Sequence, residues 1–250
     1  MITRYAFSRL HALHHSRGLA TIVVAIFALA GFSIIMGRWG GQFLSSATGM
    51  DLAAIMGPPS TLVIWNQWMS SLNQIVLLVI AIWAGHTAYA LRRDGTAKCL
   101  LTKPMSREAI LHTSWLVPLL LTVAIAGIGS IGVTGIGHAL YSDVSWSLAA
   151  SFGLWVLNVT LWSSIGALAG TLTSSIISAI VVPVAALLIV GIFSSILMIA
   201  NHTFAGLFPL STTAVSSGIT GDACWPIISA GITIVLAISV ATWLFAREDL

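Results

Sequence analysis

Six long apolar runs alternate with short polar stretches along the 250-residue chain. They cover Gly18–Met36, Ser70–Leu91, Leu111–His138, Ser147–Leu172, Ser178–Ala200 and Trp225–Ala246, and none contains Asp, Glu, Lys or Arg. About 20 apolar residues in a helix, at roughly 1.5 Å rise each, cross about 30 Å of hydrocarbon. The pattern therefore predicts an all-α integral membrane protein with six transmembrane helices. Basic residues precede the first run, as in a signal peptide, but the run exceeds the usual 7–15 or so residues and no small-residue cleavage site follows. It is expected to be a retained span.

Residues 1–17, "MITRYAFSRLHALHHSR", are too polar to span. At about 100° per residue, Arg4, Ser8, His11, His14 and His15 share one face, and Ile2, Ala6, Leu10 and Leu13 the other. This predicts an amphipathic interfacial helix on the cytoplasmic surface. The expected organisation is that helix (1–17), a six-span domain (18–246) and a short tail (247–250). Two long outer loops, 37–69 and 201–224, are partly apolar and are expected to dip toward the membrane or fold as short helices. The fourth-to-fifth connection, "TLTSS", reads as a tight turn.

Composition narrows the class. The chain is 58% hydrophobic and 7% charged, too little charge to coat a globule in water. The placement of charge then orients it. With the N-terminus in the cytoplasm, Arg4, Arg9 and Arg17, five bases of the second-to-third loop and Arg247 lie inside; Arg38 alone lies outside. Both termini are thus expected to be cytoplasmic, in the cell membrane. Bases beside spans meet anionic lipid, so the net charge of +3 is no sign of nucleic acid. Trp39, Trp65, Trp68, Trp146 and Trp225 at outer ends, with Trp115 and Trp243 at inner ends, read as an aromatic belt. Trp83, Trp155 and Trp162 are deeper and expected between helices or facing a cavity. In this orientation Cys99 and Cys224 lie on opposite sides and do not pair.

Five of the ten Lys and Arg fall within Arg92–Glu108, "RRDGTAKCLLTKPMSRE". Gly95 closes the second helix and Asp94 favours a turn. Thr96 caps a short helix through Lys98, Cys99, Leu100 and Leu101, which Pro104 follows, and Ser106 caps the third span with Glu108 in its first turn. Apolar residues on a wet, helix-bracketed turn fit a docking surface; a topogenic basic loop with its leucines on lipid fits equally.

The stretch "RRDGTAKCLLTKPMSREAIL" resembles the signature of ABC type-2 permeases, the membrane subunits of ATP-driven exporters. That family shows Gly-Thr, a leucine-rich turn, then Ser/Thr-x-Pro, a small apolar residue and Ser-Arg; here these are Gly95, Thr96, Leu100, Leu101, Thr102, Lys103, Pro104, Met105, Ser106 and Arg107. The layout is also similar: a surface helix, six spans, this loop, and a long outer loop before the last span. One position departs: Leu91-Arg92-Arg93-Asp94 stands where the family often has a Glu. The resemblance implies an ABC type-2 exporter-like fold whose loop is a coupling helix. It implies ATPase docking on Gly95, Thr96, Lys98, Cys99, Leu100, Leu101, Lys103, Pro104, Ser106 and Arg107. It further implies two ATPase subunits carrying ATP and Mg, a second permease copy or homologous permease, and export of a small amphipathic, peptide or lipid-like substrate.

The remaining motifs bound the chemistry. No Gly-Lys pair exists for a phosphate loop, so an ATPase must be a separate chain and no cofactor is expected here. Gly127, Gly129 and Gly132 spell GxGxxG, but inside an apolar span they read as close helix packing, not a dinucleotide site. Gly166 and Gly170 form a GxxxG pair, either packing within the subunit or forming a permease–permease seam. Pro118 is expected in the first turns of its span, and Pro183 is expected to kink the fifth. His11, His14 and His15 lack a Cys or carboxylate to complete a metal site, and no GxSxG turn supports a serine hydrolase. Without acids in the spans, ion-coupled transport is disfavoured. The alternatives are a non-transporting scaffold or sensor that binds a soluble partner, and an ATP-independent carrier.

Overall fold

The computed structural model describes residues 17–49, 58–93, 106–143, 146–217 and 223–247. Among these residues the fold is helical with no strand. The helices are α1 (Arg17–Thr48), α2 (Thr61–Arg93), α3 (Arg107–Tyr141), α4 (Ser147–Leu172), α5 (Ile176–Phe193), α6 (Leu197–His202), α7 (Leu207–Ser217) and α8 (Cys224–Arg247). Six of them, α1 to α5 and α8, are long and apolar enough to cross a membrane, which makes the chain a multi-pass membrane protein by length and composition. The helices run up and down. Arg92, Arg107 and Arg247 gather at one end, the basic end, and the α2 start, α3 end and α7 lie at the other.

α4 is the most enclosed span. Its glycines explain how α2 approaches it. A Cβ on Gly166 would stand 2.5 Å from the Ala81 carbonyl oxygen, and one on Gly170 would strike the Gly85 carbonyl and stand 2.8 Å from the Ala88 Cβ. Gly85 in turn faces the Ala179 carbonyl of α5. Three backbones therefore meet where no side chain fits, and the GxxxG pair packs within the subunit. α1 lies against α2 and α3, with Gly37 against Ile64 and Gly129 against Trp68 and Ile26. α8 lies on α4 and α3 through Ala230, Ala241 and Phe245.

Several expectations need correction. α1 continues past Met36 to Thr48, and α2 begins at Thr61 rather than Ser70. Ser60 caps it, its side chain accepting from the Val63 amide at 3.4 Å, and Asp143 accepts from Thr61 Oγ1 at 2.5 Å, tying the α2 start to the α3 end. Residues 61–69, expected in the first long outer loop, are thus part of the second span. Trp65 and Trp68 are buried, not interfacial: their indoles donate to Ser151 Oγ (3.1 Å) and Ser130 Oγ (2.9 Å). Trp115 is half-buried and donates to Ser163 Oγ, whereas Trp39, Trp146, Trp225 and Trp243 are exposed. Pro118 lies well inside α3, because that helix starts at Arg107. The fifth span ends at Phe193, and a turn separates it from α6. α6 takes up the last residues expected in the fifth span, and a short 3-10 turn (Phe204–Gly206) and α7 occupy the second long loop, as short helices.

The remaining turns follow local chemistry. "TLTSS" is tight: α4 ends at Leu172 and Ser175 caps α5, accepting from the Ile177 amide at 3.3 Å. Ser142, at φ 58°, closes α3 in the left-handed region.

Candidate functional site

Of the ten expected docking residues, Gly95, Thr96, Lys98, Cys99, Leu100, Leu101, Lys103 and Pro104 lie outside the described residues, as do residues 1–16 of the interfacial helix expected over 1–17; Arg17 is described and opens α1. Ser106 and Arg107 are described. Ser106 caps α3, accepting from the Ala109 amide at 3.2 Å, with Glu108 in the first turn where the helix dipole favours an acid. Arg107 reaches across to donate to the Ala246 carbonyl at the end of α8, at 3.1 Å.

Arg92, at the other flank, was not among the expected site residues. Its guanidinium donates to the carbonyls of Gly170 (3.4 Å), Thr171 and Thr173 (3.2 Å), the unpaired carbonyls at the C-terminus of α4. A fixed planar cation there satisfies several acceptors at once and complements the helix dipole. Tyr89 adds a long contact to the Ser174 carbonyl at 3.5 Å. The two flanks of the basic loop are thus fastened to the ends of α4 and α8. Arg247 stacks over Trp243 at 4.0 Å beside them. The signal in the sequence was the pair of arginines ending an apolar span opposite a span with no basic last turn.

Deeper in the bundle, α2 widens into a π-turn over Leu72–Val76, a local defect often found at functional positions. Buried Asn73 sits on it and donates to Ser211 Oγ of α7 at 2.7 Å, while Asn158 Nδ2 of α4 donates to Asn73 Oδ1 at 3.3 Å. Ser151 donates to the Ser211 carbonyl. This network joins α2, α4 and α7. Trp155 Nε1, Asn158 Oδ1 and Trp162 Nε1, on one face of α4, and Asn66 Oδ1 of α2 are buried without a hydrogen-bond partner among the described residues. The expectation that Trp155 and Trp162 pack inside is met. Trp162 meets the Phe208 ring edge-on at 6.2 Å.

A cavity of about 610 Å³ opens between α3 and α4 toward the end away from the bases, lined by Trp65, Ser130, Thr134, His138 and Phe152 among others. No group of three or more His, Cys, Asp or Glu able to hold a metal occurs among the described residues.

Fold and site together define a polytopic helical membrane protein with a clamped basic end and a lateral cavity. Comparisons with protein-family models, curated proteins and solved structures return no match.

Proposed function

We propose that the chain is the permease subunit of an ATP-driven ABC exporter in the cell membrane, with both termini cytoplasmic. Two copies, or one copy and a homologous permease, form the pathway. A separate ATPase, present twice and carrying ATP and Mg, docks on residues 95–107. The chain itself hydrolyses nothing. The cargo is a small amphipathic, peptide or lipid-like molecule.

One observation supports this reading beyond the resemblance of Arg92–Glu108 to the type-2 permease signature. Both flanks of that loop are fastened to neighbouring spans, Arg92 to α4 and Arg107 to α8. A push on the loop then displaces α4 and α8 together with α2 and α3, which a lever needs and a merely topogenic loop does not. Transport follows only if the cargo binds the two resulting states unequally.

Leu100→Asp with Leu101→Asp tests the dock. The double variant inserts in the membrane at normal abundance but loses co-purification with the ATPase and loses ATP-dependent export. Normal export by that variant removes the coupling role. Export that persists without any ATPase and follows an ion gradient establishes the carrier alternative.

A further inference from the structure

We propose that the cavity between α3 and α4 is a binding site for an uncharged amphiphile that carries hydroxyl or amide groups along one edge. The cavity volume, about 610 Å³, lies in the range of sites for drug-sized molecules, roughly 300–1,000 Å³. Among the described residues its lining contains no Asp, Glu, Lys or Arg, so a formal charge on the ligand meets no countercharge from them.

The two walls differ. Trp65, Leu148 and Phe152 form an apolar and aromatic wall. On α3, Ser130, Thr134 and His138 recur every fourth residue and all line the cavity. That spacing sets them on one helix face, about 6 Å apart along the axis. A row of three polar groups therefore runs down an otherwise apolar chamber.

Those groups retain unused hydrogen-bonding capacity. Ser130 is buried, and its oxygen accepts from Trp68 Nε1, but its own hydroxyl donates to no described residue. Thr134 and His138 make no side-chain hydrogen bond among the described residues. The contrast with other threonines is sharp: Thr122, Thr160, Thr173, Thr233 and Thr242 each donate to the carbonyl four residues back, the usual solution for a hydroxyl in an apolar helix. Thr134 has the same option at Ser130 and does not use it. The row grades outward: Ser130 is buried, Thr134 half-buried, and His138 exposed at the mouth. The unused Ser130 and Thr134 hydroxyls therefore carry a desolvation cost, which a ligand with matching groups removes. Gly127 and Gly135 keep the α3 wall low: a Cβ on Gly135 would meet nothing within 4 Å. An acyl chain alone would fill the volume and leave the polar row unmatched.

The site stands apart from the permease reading, because the readout is binding and not export. The full-length protein in mild detergent is titrated with a monoacylglycerol whose acyl chain carries two bromines, and tryptophan quenching is followed, since Trp65 and Trp146 line the cavity. The methyl ester of the same acid, which lacks the hydroxyls, is titrated in parallel. Saturable quenching by the monoacylglycerol is expected, with the ester about tenfold weaker. Gly135→Leu, which grows into open space, abolishes saturation. Thr134→Val with His138→Leu brings the two probes to equal affinity. Gly231→Leu, an equally open glycine on α8, leaves binding unchanged and controls for folding. Unsaturable quenching, or saturation that survives Gly135→Leu, overturns the site. Equal affinity of both probes for the unaltered protein overturns the ligand class and leaves a plain lipid slot.

Discussion

Gly166 and Gly170 of α4 and Gly127, Gly132 and Gly135 of α3 look alike in sequence and do opposite things, although Gly129 and Gly137 on another face of α3 also pack closely. Gly166 and Gly170 let two backbones touch, with Ala81 and Gly85 carbonyls where side chains would stand. Gly132 and Gly135 face open space, and Gly127 has only the Phe152 ring nearby at 3.7 Å. Small residues in a span thus mark close approach in one place and a hollow in another. Spacing alone does not separate the two; the partner helix does. α4 meets the small residues of α2, whereas this face of α3 meets large aromatics that stand off from it.

That contrast can be broken or sharpened by substitution, measured as thermal unfolding in one detergent. The largest effect is expected at the seam. Gly166→Leu drives a side chain into the Ala81 backbone and costs about 3 kcal/mol or more, so little folded protein is recovered. Removing the Asn73 side chain comes next. Asn73→Ala leaves Ser211 Oγ and Asn158 Nδ2 without this partner, a loss of about 2 kcal/mol, and loosens α7 from the bundle. Arg92→Ala is smaller, about 1 kcal/mol from the lost helix-end charge; its sharper signature is functional, with the ATPase still bound but export reduced. The smallest effect has the opposite sign. Gly132→Ala adds helix propensity in open space and stabilises by up to about 1 kcal/mol. Destabilisation by Gly132→Ala, or indifference at Gly166→Leu, would mean the two faces are packed the other way round.

Much of this arrangement was legible beforehand. Length and apolarity located six spans, because lipid leaves the backbone no other way to satisfy its hydrogen bonds than helices or barrels. The Ser106 cap and the Ser175 turn follow from local chemistry, whereas Gly166 and Gly170 read equally as a seam between subunits until the Ala81 and Gly85 carbonyls of α2 are seen against them. Nor does the start of α2 follow from local chemistry. Asn66 and Gln67 make residues 61–69 look like outer loop, Asn73 shows no local sign of its partner, and Trp65 and Trp68 look like interfacial anchors. Their polarity is instead absorbed within the bundle: Trp65 on Ser151, Trp68 on Ser130, Asn73 on Ser211. These partners are 62 to 138 residues away in sequence, beyond the reach of any local pattern. Arg92 shows the same limit. As a basic residue ending a span it reads as topogenic, and its role as the cap of α4 appears only when the ends of α2 and α4 are side by side.

The lever at the basic end remains the centre of the functional proposal, and it is tested most directly by its partner. The protein is extracted in mild detergent and what stays bound in stoichiometric amount is identified by mass spectrometry. The expected result is a soluble subunit with a phosphate-loop motif, lost when Leu100 and Leu101 become Asp. No ATPase in the complex, even after crosslinking through Cys99, would contradict the exporter assignment.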